Sequence, residues 1–401
     1  MNIFFKAYCR IFQTCFRLAM PFLPYREPKL LSSVKDIATE ITAIKCSRPL
    51  IVTDNFLYGS GACENLKKAL ESHKISYEVF FDTHPNPTAK NVEDALKLYK
   101  SQNCDCLIAF GGGSSMDCAK ALGARAVYPK RSLKSLGGLL KVFRKLPPLF
   151  AVPTTAGTGS EVTVTAVITD SDTKYKYTMN SFPFIPSHAV LDPEVTFTLP
   201  KHLTATTGMD ALTHAVEAYI GGSVTKETKK LAESATKLIF ENILTAYNEP
   251  ENYEARKNML TAAYKAGIAF SKSYVGYIHA VAHSLGGQYN IAHGLANSVL
   301  MPIVLKIYGK SVYKKLAKLA KAANLTKDGD SDKTAAVRFI EAIEKLNSEM
   351  GIPKTLNGIQ KEDIPQMASH ASKEANPLYP VPVLMNAKKL EKIYYEVGGL
   401  Q

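Results

Sequence analysis

The apolar pattern of this 401-residue chain changes its period once, near residue 196, and that change restricts the fold more than any motif does. Before it, short apolar runs alternate with segments of helical period. Residues 48–54 read as a buried strand and 61–73 as a helix, and 76–81 with 89–101 repeat the pair. Residues 105–110 and 148–153 read as further strands, with more extended stretches at 162–170, 174–179 and 189–191. Strand–helix–strand alternation at this spacing needs crossover connections, and therefore a parallel sheet covered by helices. After residue 196 almost no strand signal remains. Residues 206–220, 226–247, 251–271, 311–323 and 332–350 carry helical period instead. The expected organisation is an N-terminal extension (1–29), an α/β domain (30–196) and an all-α domain (197–401), because a chain this long exceeds one ordinary core.

Composition narrows the partners. At 46% hydrophobic and 21% charged, the chain belongs among soluble globular proteins. Its net charge of +13 would suit a nucleic-acid binder, but the basic residues are dispersed, often beside acidic ones. No basic run interleaved with aromatics occurs, so no nucleic-acid partner is expected, and the charge favours an anionic cofactor instead. The seven cysteines all fall in the first third of the chain. An odd number so placed predicts no disulfide framework and a reducing, cytoplasmic compartment.

The first 24 residues stand apart. Lys6, Arg10, Gln13, Thr14 and Arg17 recur at helical spacing and leave Phe4, Phe5, Tyr8, Ile11, Phe12, Cys15 and Phe16 around the rest of the cylinder. The apolar runs are too short and too often broken by charge to span a membrane, and no signal-peptide cleavage pattern follows. Two uses remain open for such a helix: packing on the body or on a neighbouring subunit, or lying on a membrane surface.

Two loops in the α/β half have the chemistry of a phosphate cradle. Gly111-Gly-Gly-Ser-Ser-Met-Asp117 follows a strand and opens a helical run at 118–123. Gly111, Gly112 and Gly113 let backbone approach a pyrophosphate, Ser114 and Ser115 offer hydroxyl donors, and the helix start supplies amides and a favourable dipole. Pro153-Thr-Thr-Ala-Gly-Thr-Gly-Ser160 is a second such loop, in which Thr154, Thr155 and Thr158 offer hydroxyls. One cradle after each of two adjacent strands fits an extended dinucleotide. Asp54 ends the first strand of the sheet, at 48–54, where a carboxylate accepts from a ribose hydroxyl and repels a 2′-phosphate, favouring NAD over NADP.

The second half concentrates metal-ligating side chains. Asp210 and His214 are four apart in a helical segment, His279 and His283 repeat that spacing, and His293 follows. Residues four apart project from one helix face. One carboxylate with two or three neutral imidazoles makes a site for a divalent ion such as Fe²⁺ or Zn²⁺, with a coordination position left for substrate.

Taken in order, the glycine triplet, the Thr-Thr-Ala-Gly-Thr-Gly-Ser loop and the Asp/His constellation resemble the iron-containing (group III) alcohol dehydrogenase family, from about residue 30 to the C-terminus. The resemblance implies an N-terminal α/β dinucleotide-binding domain and an all-α C-terminal metal-binding domain, the dehydroquinate synthase-like fold. It implies that Asp210, His214, His279 and His293 bind the ion, Fe²⁺ with Zn²⁺ as the alternative. His283 would be the non-ligand histidine beside the substrate, acting catalytically. It also implies nucleotide contacts from Asn86, in the run Asn86-Pro87-Thr88, and from Lys176, alongside Asp54, Asp117 and Ser160. The activity implied is NAD(H)-dependent interconversion of a small alcohol and aldehyde by a homo-oligomer.

Two departures qualify the resemblance. The family core has no counterpart to the leading segment. In Ala375-Asn-Pro-Leu-Tyr-Pro-Val-Pro382, Leu378, Tyr379 and Val381 make the region near the substrate more apolar than in several members, which points to a simple aliphatic substrate. The rival readings are a polyol (glycerol-type) dehydrogenase or dehydroquinate synthase of the same fold, and an inactive binding protein recruited to membranes through residues 1–24.

Overall fold

Strands buried on both faces read as unbroken apolar runs, and the central strands here do so. The computed structural model describes residues 1–170 and 176–400, with backbone only for Pro21 and Lys176. It forms two compact units, Pro24–Leu199 and a second made of Met1–Leu23 with Pro200–Gln401. Residues 1–23, set apart in the sequence, therefore group with the helical part of the chain.

Nine strands occur among the described residues: β1 (Lys29–Leu31), β2 (Pro49–Val52), β3 (Glu78–Phe80), β4 (Cys106–Gly111), β5 (Gly138–Leu139), β6 (Leu149–Pro153), β7 (Thr165–Thr169), β8 (Lys176–Asn180) and β9 (His188–Val190). Six of them make a parallel sheet in the order β1-β9-β6-β4-β2-β3, and β5-β8-β7 make a small mixed sheet. Every residue of β2, β4 and β6 is buried. Successive residues feed opposite cores: Leu50, Val52, Leu107 and Ala109 face one, and Ile51, Ile108, Phe110 and Phe150 the other. β1 and β5 are the strands that the sequence did not announce, because both are short, largely exposed and carry no core pattern.

The sheet reverses its winding between β2 and β4. From β2 the chain steps outward to β3, then crosses back to β4 on the other side. In open α/β sheets, ligands bind beyond the strand carboxyl ends at such a reversal. Val52 pairs with Ala109 and Gly111 with Pro153, so Asp54 and both glycine–hydroxyl loops leave the sheet at one level. The helix after β4 starts at Gly113 and runs to Val127, so it begins earlier than the run expected at 118–123. Glycine and serine are weak in helix interiors but acceptable in the first turn.

The helical unit is organised around Lys201–Ile220, which is buried nearly all round from Gly208 onward. Lys226–Asn248 and Tyr253–Ser273 pack on it and on each other. Tyr277–Tyr289 and His293–Tyr308 follow, then Tyr313–Ala322, Asp332–Glu349, Ile364–Ala375 and Ala387–Val397. Helical period does not mark Tyr277–Tyr289 and His293–Tyr308, because both are apolar on most sides, and the second carries Pro302 in its interior. A helix buried all round has no polar face to reveal its period.

Candidate active site

Three helices converge on the Asp/His constellation. Asp210 and His214 lie one turn apart on Lys201–Ile220, His279 is on Tyr277–Tyr289, and His293 opens His293–Tyr308. One ligand atom from each of these four residues lies within 4.8 Å of the others. Asp210, His214 and His279 are buried and His293 is partly exposed. Asp210 Oδ1 is 3.6 Å from His293 Nε2 and 3.9 Å from His279 Nε2. His214 is sandwiched between Phe270, at 4.2 Å, and the His279 ring, at 4.5 Å.

The surroundings of His279 test whether a metal fits. Its Nδ1 is 2.7 Å from Glu217 Oε2, and that carboxylate also accepts the amides of Gly276 (2.7 Å) and Ile278 (2.8 Å). A carboxylate receiving three donors fixes the ring with its proton on Nδ1, and so turns the Nε2 lone pair toward Asp210. Nε2 is buried and has no hydrogen-bond partner among the described residues. Burial, followed by the neighbouring His214, His293 and His283, holds the ring well below the ordinary histidine range, so it is neutral. One carboxylate oxygen and three imidazole nitrogens within 4.8 Å of one another are a donor set for Fe²⁺ or Zn²⁺, and the Nε2 of His279 is the atom such an ion would satisfy.

His283 stands outside this set. Its ring stacks on His293 at 5.2 Å, and its Nδ1 lies 2.6 Å from Glu374 Oε1, which also accepts the Tyr379 hydroxyl at 2.8 Å. Tyr379 is itself nearly buried, as is Val381. The 375–382 segment therefore gives this region a hydroxyl–carboxylate–imidazole chain as well as apolar surface.

In the α/β unit the two loops interlock. Thr154 N donates to Gly111 O at 3.1 Å. A Cβ on Gly111, whose φ is +155°, would come within 2.4 Å of Ser115 Oγ, and one on Gly113 within 2.9 Å of Thr158 Cγ2. Thr155 lies against Gly112. Only bare backbone fits at Gly111 and Gly113, which leaves amides at the sheet edge. Asn86, in the left-handed region with φ +58°, donates its amide to Ser114 Oγ at 3.3 Å. Asp54 caps the Asn55–Gly59 helix, its Oδ1 accepting from Leu57 N at 2.9 Å. Lys176 opens β8 opposite Thr169, and its side chain lies outside the described residues.

Asp117 and Ser160 have work within the unit. Asp117 accepts from Ser160 Oγ (3.0 Å) and from Val167 N (3.0 Å). Lys120, fully buried, donates to Ser160 Oγ, Thr163 O, Thr163 Oγ1 and Thr165 O at 2.9–3.2 Å. Burial pulls the Lys120 ammonium down to about 8 and pushes Glu161 up to about 7 and Asp117 up to about 6. This network ties the start of the helix after β4 to the second loop.

Other residues of the site were not among those expected from the sequence. Glu217 lies three residues after His214 on one helix, and Asn297 four after His293, donating to Asp210 Oδ1 at 2.7 Å. Both carried the same spacing signal as the histidines. Glu374, 91 residues from His283, carried none.

A sheet-edge cradle of bare glycine amides and hydroxyls, and a buried Asp/His₃ cluster with a carboxylate behind it, are the parts of a metal-dependent, nucleotide-using oxidoreductase. The family models agree: residues 31–193 match "Iron-containing alcohol dehydrogenase" and residues 204–397 match "Fe-containing alcohol dehydrogenase family, C-terminal". The chain belongs to the iron-containing alcohol dehydrogenase family. It is similar to 1,3-propanediol dehydrogenase of Citrobacter freundii, 39% identical over 86% of this chain and 90% of that protein. It is 38% identical to NAD-dependent methanol dehydrogenase of Bacillus methanolicus, over 84% of this chain and 89% of the relative. The crystal structure of a 1,3-propanediol oxidoreductase matches with a TM-score of 0.89 at 35% identity, covering 93% of this chain and 98% of that one. The chain is thus an alcohol–aldehyde oxidoreductase of small molecules, in a family that works with NAD(H) and ferrous iron.

Proposed function

We propose that this protein interconverts a small aliphatic primary alcohol and its aldehyde with NAD(H), holding one divalent ion on Asp210, His214, His279 and His293. The observation that carries the reading is the buried, unsatisfied Nε2 of His279, aimed at Asp210 while Glu217 occupies its Nδ1. A divalent ion held there, Fe²⁺ or Zn²⁺, supplies Lewis acidity that polarises the substrate oxygen, and NAD(H) supplies or takes the hydride.

The chain's own groups do the rest. His283, with Nδ1 on Glu374, exchanges the hydroxyl proton through Nε2, directly or by way of water. Phe270 and the buried helix faces around His214 keep water from the ligand cluster. The amides and hydroxyls of residues 111–115 and 154–158, with Asn86, cradle the pyrophosphate. Asp54 accepts from the adenosine ribose and disfavours a 2′-phosphate. Lys176 is assigned to the nicotinamide ribose, and Asp117 and Ser160 brace the two loops.

The test is NADH consumption with butanal by anaerobically purified protein, as apo-protein and after adding Fe²⁺ or Zn²⁺, with NADPH in parallel. 1,3-Propanediol should be included in the oxidation direction, because the relative from Citrobacter freundii is named for it. Turnover restored by one ion, and faster with NADH, is the expected result. Failure of both NADH and metal to bind would overturn the reading.

The protein is further proposed to act in the cytoplasm as a homo-oligomer, with residues 1–24 making a peripheral contact. The odd, clustered cysteine set supports the reducing compartment. Among the described residues no helix is long and apolar enough to cross a membrane.

A further inference from the structure

The Ile3–Ala19 helix is docked by its less apolar side. It buries Cys9 and Gln13. Arg10 donates to Val381 O (2.8 Å) and Pro382 O (3.0 Å), and Gln13 Nε2 donates to Pro377 O (3.1 Å) and Tyr379 O (2.7 Å). Phe16 meets Tyr274 edge-on at 5.1 Å. A helix packed on a protein body ordinarily turns its apolar stripe inward. Here the seat takes one side, and the 3.6-residue turn sends Ile3, Phe4, Tyr8, Ile11 and Leu18 outward. Phe4 is 82% exposed, Ile11 64% and Leu18 63%, and Phe22, just past the helix, is 87% exposed.

Charge runs alongside this face. Lys6 and Arg17, both exposed, lie on one flank of the helix, at the angular position of Gln13 and Arg10, and Phe5 and Phe12 border the apolar arc on the other. Glu27 is the first acidic residue of the chain. An exposed arc of Phe, Ile, Leu and Tyr with cations on one flank and no acidic residue before Glu27 matches an interface of acyl chains beneath anionic headgroups. A second copy of the chain fits less well. Two-fold pairing of this face would bring Lys6 and Arg17 of both copies together, with no carboxylate in residues 1–26 to answer them.

We propose that the outer face of this helix docks the protein on a lipid surface carrying anionic headgroups. The inference refines the peripheral contact proposed above and is independent of the catalytic reading. Because the seat holds the helix in place before any lipid is met, binding does not have to order a floppy segment. Phe4, Ile11, Leu18 and Phe22 enter the interface, and Lys6 and Arg17 meet the headgroup charge.

The test is flotation of the full-length protein with vesicles of phosphatidylcholine alone and of phosphatidylcholine mixed with phosphatidylserine. Light scattering on the lipid-free protein accompanies it. The expected result is binding to the anionic vesicles that weakens in high salt, with little binding to the neutral ones. The pair Phe4→Ser with Ile11→Ser should abolish binding. The pair Lys6→Gln with Arg17→Gln should weaken it about tenfold or more on anionic vesicles alone. Unchanged thermal melting in both pairs shows that they fold. Equal binding to both vesicle types would overturn the anionic assignment and leave the peripheral contact standing. Binding to neither would overturn both. An oligomer that Phe4→Ser with Ile11→Ser dissociates would assign the face to a second copy.

Discussion

Glu217 and His279 form a buried carboxylate–imidazole pair, Oε2 to Nδ1 at 2.7 Å, and the carboxylate takes the amides of Gly276 and Ile278 as well. Both partners are almost fully buried. Burial pushes the Glu217 carboxyl up to about 7, against the pull of those hydrogen bonds. Glu217 thus sets the ring orientation of a proposed ligand without being one.

Glu217→Gln puts an NH₂ where two amides and Nδ1–H already point. Metal affinity should fall about 10–100-fold, the usual cost of losing such a support. Metal competition against a chelator, with NADH binding as the unaffected control, checks this. Undiminished affinity would show that packing alone orients His279.

Gly276→Ala should act through the same carboxylate. A Cβ there would lie 2.6 Å from Glu217 Oε1. Gly294→Ala would set its Cβ 2.6 Å from the Thr206 carbonyl oxygen, beside His293. Each should cost about 1–3 kcal/mol of stability by overpacking and weaken metal retention. Thermal melting with and without added Fe²⁺ separates the two effects. A variant that melts and retains metal like the parent would mean that the helices shift freely at these contacts.

Asp54→Asn distinguishes charge from capping. Asparagine caps a helix about as well as aspartate, so the Leu57 amide keeps its acceptor. Removing the charge alone should raise the NADPH-to-NADH ratio of kcat/KM about tenfold, on the order of 1–2 kcal/mol of lost repulsion. An unchanged ratio would remove Asp54 from cofactor selection.

Glu161→Gln should alter the pH dependence of stability. Burial raises the Glu161 carboxyl from 4.5 to about 7 in the folded protein. The folded state then binds more protons than the unfolded state across that window. The stability Glu161 contributes is full below about 4.5 and is lost as pH rises through about 7. Glutamine does not titrate, so the variant should gain relative to the parent between pH 4.5 and 7.5, by about 1 kcal/mol or more. Melting temperatures across that range test it, and a constant difference would count against a buried, titrating Glu161.

Gln13→Ala removes both hydrogen bonds that the N-terminal helix makes to Pro377 and Tyr379. Tyr379 in turn reaches His283 through Glu374. The expected effect is a few-fold rise in KM for aldehyde, from about 1 kcal/mol per lost bond, with metal content unchanged. Steady-state kinetics beside metal analysis decides this. An unaltered KM would make the inner face of the helix purely structural.

Much of the candidate site was legible because its signals are local. Asp210 with His214, and His279 with His283, show up within one helical turn, and glycine triplets after apolar strands need only a short window. The same logic should have reached Glu217 and Asn297. Lys120 was not legible, because a lysine in a helix reads as solvated until the second loop folds over it.

The order of the architecture, a parallel α/β region followed by helices, is written in the chain itself, as are the residue types of both candidate sites. These follow from periodicity and side-chain chemistry, which act over a few residues. The tertiary structure decided which groups stand behind the ligands, since Glu217 with His279 and His283 with Glu374 are 62 and 91 residues apart. It also decided that residues 1–23 join the helical unit with their most apolar face outward. An amphipathic pattern states that a helix has two faces, but only the surface it meets determines which of them is buried.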